Sequence, residues 1–238
     1  MTVTAHRTGL AVRDEELREL MDDPACDRRR LDATLRRFGT VNRLVSGWGA
    51  VYRDRLRPFL AQRDRPARVL DLGSGGGDLV VRLAGLAARD GLAVEWLGVD
   101  PDPRAHAVAT ARAPTPSITF EQSDAEALVA RGERFDAVIS NHVLHHLDAA
   151  ALASFTSLSA QLSSGIVLHS DIERSRTAYA LYAVGITPFA PGTFLRTDGL
   201  RSIRRSFRRH ELGEVLGDRW QVERPVSFRL LASRRADG

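Results

Sequence analysis

Four histidines and a few acids are the residues of this chain with chemistry to offer. His142, His145 and His146 follow Asn141 in FDAVISNHVLHHL, and His169 and Asp171 follow in LHSDIERSR. Positions i, i+3 and i+4 share a face if that turn is helical. An imidazole titrating near ~6.5 can take a proton at neutral pH, which makes the cluster a candidate general base. His169 or Asp171 would pair with or orient the reacting ring.

A second group of acids surrounds a run of glycines. The string VLDLGSGGGDLV places Asp71 at the end of an apolar run, then Gly73, Ser74, Gly75, Gly76 and Gly77, then Asp78. Glycine lets backbone N–H groups approach a ligand, and a helix start behind the turn favours an anion or carboxylate. The dinucleotide fingerprint needs a third glycine where Asp78 stands, and no Gly-Lys-Ser/Thr follows as in a phosphate loop. Acids here repel pyrophosphate and suit a ligand bearing ammonium and sulfonium groups. Asp100 ends LGVDPDP, where a carboxylate can accept from both hydroxyls of a ribose. Asp124, in EQSDAEAL, can cap the helix that follows it.

These residues need a sheet to hold them. From residue 68 strands alternate with helices: strands over Val69–Leu72, Ala93–Val99, Ser117–Phe120, Phe135–Ser140 and Gly165–His169, and helices over Asp78–Arg89, Pro103–Ala113, Ala125–Ala130 and Ala149–Leu162. That rhythm predicts an α/β fold, a doubly wound, mostly parallel, Rossmann-like sheet. Trp220–Val222 and Ser227–Ala232 close it as a C-terminal antiparallel hairpin, giving seven strands; Ser233–Gly238 read as a frayed tail. Residues 13–60 read as helical, with Asp27 or Asp32 as a cap and a break at Gly47 and Gly49. They predict a cover over residues 1–60, distinct from a ligand-binding domain over 61–238. Trp48 and Tyr52 are its candidates to face a substrate. Residues 172–200 break the rhythm and read as an insertion serving function, with Tyr179, Tyr182 and Phe189 as substrate contacts. Ser206 reads as the cap of a helix running to Leu216.

The glycine string resembles the first motif of class I S-adenosylmethionine (SAM) dependent methyltransferases, and the later landmarks match in order over Val69–His146, about a third of the chain. The resemblance implies that Asp71, Gly73, Ser74, Gly75 and Gly77 hold the methionine part of SAM. It gives Asp100 and Pro101 the ribose, Asp124 and Ala125 the adenine, and Asn141 a place at the mouth. Ubiquinone-type small-molecule methyltransferases often carry a histidine at the position of His146, which ranks His146 first as base, then His145 and His142. NRLVSGW and HSDIERSR loosely resemble methyltransferases that accompany polyketide synthases. Catechol-type enzymes place an Asp where Asn141 stands, so no metal is expected.

The expected function is therefore methyl transfer to oxygen of a small aromatic or enolic metabolite. Two alternatives carry their own signals. A nucleic-acid methyltransferase would use the cluster Arg201, Arg204, Arg205, Arg208 and Arg209. Against it, no Pro-Pro-aromatic follows Asn141, and Cys26 is the sole cysteine. A non-catalytic SAM-binding module would not need the histidines. All 34 basic residues are arginine, so no lysine is available as a base or Schiff base, and net charge is +4. No apolar run reaches the ~18 residues of a membrane span. The N-terminal stretch lacks a signal core. A cytoplasmic monomer or homodimer, with neither nucleic acid nor membrane as partner, is expected.

Overall fold

The structure, a computed structural model, describes residues 9–112 and 115–236. The first eight residues, Ala113 and Pro114, and the last two residues of the expected tail lie outside it.

Seven strands form one sheet: β1 (Ala67–Leu72), β2 (Val94–Val99), β3 (Ile118–Glu121), β4 (Phe135–Asn141), β5 (Ser163–Ile172), β6 (Gln221–Glu223) and β7 (Arg229–Arg235). Their order is β3-β2-β1-β4-β5-β7-β6. β1 to β5 run parallel, and β7 is antiparallel to both neighbours. The chain leaves β1 toward β2 and β3, then returns to the other side for β4. That reversal opens a crevice at the carboxyl ends of β1 and β4, where open α/β sheets bind ligands.

Alternate side chains of each strand serve two cores. Val69, Trp96, Ala137, Ile139 and Leu168 pack on one face, against α4 (Asp78–Arg89) and the N-terminal helices. Leu70, Leu72, Val99, Val138 and Val167 pack on the other, against α6 (Ala125–Ala130), α7 (Ala149–Leu162) and α10 (Arg209–Leu216). The remaining core helix, α5 (Pro103–Thr110), is capped by Asp102, whose side chain accepts from the Arg104 amide. Asp124, Asp148 and Asp27 cap α6, α7 and α1 (Arg28–Val45) in the same way. Such caps contribute about 1 kcal/mol each.

Three expectations are corrected, and one segment gains detail. Residues 13–27 are not helical: the amides of Leu20 and Met21 go to the Asp198 carboxylate rather than to helical carbonyls. This strap packs against the turn that follows β4 and the helix that carries Asp198. The helical cover begins at α1 and resumes, after the left-handed Gly47 (φ 72°), as α2 (Trp48–Val51), a π-turn (Tyr52–Leu56) and α3 (Arg57–Leu60). The 172–200 segment is itself built of helices, α8 (Arg176–Gly185), a 3₁₀ turn (Thr187–Phe189) and α9 (Leu195–Arg205). Ser206 caps nothing at an N-terminus; it ends α9, its hydroxyl donating to the Ser202 carbonyl at 2.6 Å, and α10 starts after Arg208. Finally, Ser233–Arg235 are not frayed, since β7 pairs with β5 through Arg235.

Candidate active site

One cavity of about 860 Å³ opens at the crevice. Its first wall is the glycine loop. Gly73, Gly75 and Gly77 all take positive φ, between 53° and 74°, which a side chain would resist. Close packing holds the loop from behind: a Cβ on Gly77 would meet the Phe120 ring at 2.5 Å, and one on Gly73 would meet Val143 at 2.7 Å. A Cβ on Gly75 would meet nothing within 4 Å, so that position faces open space. Gly73, Ser74 and Gly75 line the cavity, whereas Gly77 serves it from outside as the start of α4.

Acids dominate this wall. Asp71 is 1% exposed, and its Oδ1 has no hydrogen-bond partner. Burial, reinforced by Asp78 and Asp100, pushes its carboxyl well above the usual range. An unpartnered buried carboxylate costs several kcal/mol, roughly, so the site lacks a donor that a cationic ligand would bring. Asp100 accepts from the Gly75 amide and the Asp102 amide, both at 2.9 Å, and thereby braces the loop. Asp124 and Ala125 stand beyond β3, and Pro101 beyond β2, at the same edge of the sheet.

The histidines fare differently from one another. His142 sits at φ 63°, so the three do not share one helical face; only Leu144–His146 forms a 3₁₀ turn. Arg229 donates to His142 Nε2 at 2.9 Å and to Asn141 Oδ1 at 2.8 Å. Burial, with Arg229 adding repulsion, drives His142 well below its ordinary value. His145 is clamped between carboxylates: Asp171 Oδ1 lies 2.7 Å from Nδ1 and Glu19 Oε1 lies 3.2 Å from Nε2. Burial favours the neutral ring, but Asp171 and Glu19 overcome it and raise His145 to about 9. It is an imidazolium at neutral pH.

His146 lies beside it, ring centroids 4.2 Å apart, with Glu19 at 3.7 Å and Asp22 at 3.4 Å. Its side chain keeps 30% of its surface and lines the cavity. His169 is elsewhere. It is wholly buried between Phe155 and Trp220, bonded to the Ser140 hydroxyl at 2.8 Å, and burial lowers it to about 3. The structure thus removes His169 from the site: it is a core residue on the covered face of the sheet.

The second wall is apolar and comes from α1, α8 and α9. Tyr182 and Phe189 belong to it, with Phe38, Val41, Leu181 and Ile186. Tyr182 donates to the Leu195 carbonyl at 2.8 Å and lies over Gly199, where any Cβ would meet it at 2.2 Å. Trp48, Tyr52 and Tyr179 are not in the lining. Trp48 is fully buried in the core, and Tyr52 turns its hydroxyl to Asp90 at 2.7 Å, on the far end of α4. Leu44 and Val45 are exposed at the cavity rim.

Glu19, Asp22, Asp198 and Arg229 are the residues that sequence reasoning missed. Glu19 lies 126 positions from His145, and no spacing rule links them. The arginine cluster is engaged internally: Arg204 pairs with Asp14, Arg201 and Arg208 donate to the Arg18 and Leu10 carbonyls, Arg205 to that of His146, and Arg209 to that of Val222.

Among the described residues no helix is long and apolar enough to cross a membrane. Residues 69–165 match a family described as a methyltransferase domain. A ubiquinone biosynthesis O-methyltransferase of Cereibacter sphaeroides is 36% identical over 121 residues, which are 50% of this chain and 46% of that protein. The chain thus spans about half the length of the curated relatives it matches. Among solved structures, the CurJ carbon methyltransferase superposes with a TM-score of 0.64 at 16% identity, covering 89% of this chain and 61% of that one. The plantazolicin methyltransferase BpumL, crystallised with a desmethyl analogue and SAH, gives 0.57 at 13% identity, covering 89% and 96%. Likeness at that identity speaks for the fold.

Proposed function

Because residues 69–165 match a methyltransferase domain, we propose that the chain is a class I SAM-dependent methyltransferase that transfers a methyl group from SAM to an oxygen of a small aromatic or enolic acceptor. The observation that carries this reading is a single cavity with two unlike walls, one acidic and glycine-lined, one apolar. The orphaned Asp71 oxygen and the open space over Gly75 fit the ammonium-bearing methionine part. Asp71 would accept from the ammonium, Asp100 from the ribose, and Asp124 with the Ala125 amide would meet the adenine. When bound, SAM supplies an electrophilic methyl group on its sulfonium.

The protein's part is to hold the acceptor in line, exclude water and take its proton. Residues 9–60 and the 172–200 helices serve as the cover over the acceptor. His146 is the base by elimination among the expected histidines. Carboxylates hold both ring nitrogens of His145 at 2.7 and 3.2 Å, whereas those beside the half-exposed His146 stand off at 3.4 and 3.7 Å; Nε2 of His142 is taken by Arg229, and His169 is in the core. The His146 imidazole receives the acceptor's hydroxyl proton as the oxygen gains its methyl group. Internal engagement of the arginines favours a small acceptor over a polyanion.

Labelled SAM offered with phenols, pyrones and quinols, with product mass spectrometry, identifies the acceptor. His146→Ala is expected to lower kcat by about 10²–10⁴-fold, as loss of a general base does, while calorimetric SAM affinity holds. Undiminished turnover at neutral pH would place the base elsewhere. Binding of SAM with no turnover of any acceptor would favour a non-catalytic module.

A further inference from the structure

We propose that Glu19, His145 and His146 form a binding site for a divalent transition-metal ion of the zinc class. One donor atom from each of the three lies within 4.8 Å of the others. Nε2 of His145 is 3.2 Å and Nε2 of His146 3.7 Å from Glu19 Oε1. Ligands about 2.0–2.1 Å from a tetrahedral ion stand roughly 3.4 Å apart, so the two measured edges bracket that value.

The outer atoms agree. Each imidazole has its other nitrogen facing a carboxylate: Nδ1 of His145 is 2.7 Å from Asp171, and Nδ1 of His146 is 3.4 Å from Asp22. Carboxylates behind ligating histidines orient the rings and strengthen them as donors. The 2.9 Å bond from the His145 amide to Asp171 fixes that ring further. Three carboxylates surround the two rings, with the Arg205 guanidinium 3.6 Å from Asp22. Two imidazoles with a carboxylate suit zinc, cobalt or nickel better than magnesium or calcium, and His145 releases its Nε2 proton to bulk water as the ion takes that nitrogen, so binding weakens as pH falls. Glu19 and His145 are buried, whereas the exposed part of His146 leaves a fourth position toward the cavity. Glu19 currently accepts from the Ser202 hydroxyl at 2.5 Å, a contact that can persist on its second lone pair.

Binding of the ion does not depend on the methyl transfer proposed above. One consequence does rest on that reading: an ion on Nε2 of His146 ties up the ring that would take the proton, so occupancy blocks turnover.

The test is a titration of untagged, chelator-stripped full-length protein with Co²⁺, followed by visible d–d absorption. One equivalent of cobalt with intense tetrahedral-type bands, displaced by Zn²⁺, is expected. Glu19→Gln and His146→Ala should each weaken binding at least tenfold, and Asp171→Asn by about 10–100-fold through the ring it orients. Cys26→Ser should leave the bands unchanged. Absence of bands, or bands that survive Glu19→Gln together with His146→Ala, overturns the site. Calorimetry with SAM on the stripped protein reports the cofactor reading separately: lost SAM binding with intact cobalt bands sinks that reading and spares this one.

Discussion

The glycine-loop wall and the histidine wall of the cavity both concentrate buried charge, yet they treat it in opposite ways. At the loop, Asp71 is buried with an unpartnered oxygen, and Asp78 and Asp100 add like charge. At the histidines, Asp171 is just as deeply buried, but it accepts from the His145 ring and amide and lies in a carboxylate–imidazolium–carboxylate row with Glu19. One wall has been left short of a cation. The other supplies its own. A binding site for a charged ligand is made by withholding the partner that ordinary folding would include.

Removing an acid should therefore have opposite signs on the two walls. Asp171→Asn strips the partner from a buried imidazolium and is expected to cost about 3–5 kcal/mol of stability in denaturant unfolding. A loss under about 1 kcal/mol would mean that Glu19 alone suffices and would erase the contrast. Asp71→Asn should go the other way, with a gain of about 1–3 kcal/mol in the ligand-free protein and loss of SAM binding by calorimetry. A destabilised Asp71→Asn protein that still binds SAM would break the comparison outright.

The smallest effect is a tilt with pH. Asp71 is raised in the folded state, so its contribution is present at low pH and is lost as pH rises through its folded value. Asp171 is depressed by His145, which overcomes its burial, so its contribution is present above the ordinary carboxylate range and is lost on acidification. Urea midpoints should show Asp71→Asn gaining most at the alkaline end of a series from about pH 4 to pH 8, and Asp171→Asn losing least once pH falls below about 4, each limb bounded by ~1.4 kcal/mol per pH unit. Parallel curves for the two variants would contradict it.

The two walls also differed in how far the sequence disclosed them. The loop wall is local: Asp71 through Asp78 is one string, and Asp100 and Asp124 are reached by counting strands. Positive φ and tight turns restrict residue type, so glycine reports them directly. The helices Asp78–Arg89, Ala125–Ala130 and Ala149–Leu162 were legible to the residue for the same reason, through period and caps. The histidine wall joins segments near residues 19, 145, 171 and 202. Such pairings depend on where the strap meets α9 and the turn after β4, and no periodicity carries that information. The aromatic residues misled because burial and pocket lining use the same side chains: Trp48 and Tyr52 are apolar-faced in either role, and only position on the helix separates them. His169 misled likewise, its neighbours Phe155 and Trp220 being distant in sequence.

The strap that delivers Glu19 is clamped through its main chain near both ends. Asp198 takes the amides of Leu20 and Met21, Arg201 the carbonyl of Arg18, and Arg174 and Arg208 the carbonyl of Leu10. Every residue type but proline offers those groups, so apart from Arg13 and Asp14, whose side chains bind the Arg205 and Leu147 carbonyls and Arg204, substitutions at the clamped positions leave the path intact. Length is another matter. Adding or deleting one residue between the anchors slides the chain through fixed clamps and brings Arg18 or Leu20 to the place of Glu19. A cation or an apolar side chain would then face His145. In this segment the spacing of residues, more than their identity, is what variation cannot touch without rewriting the site.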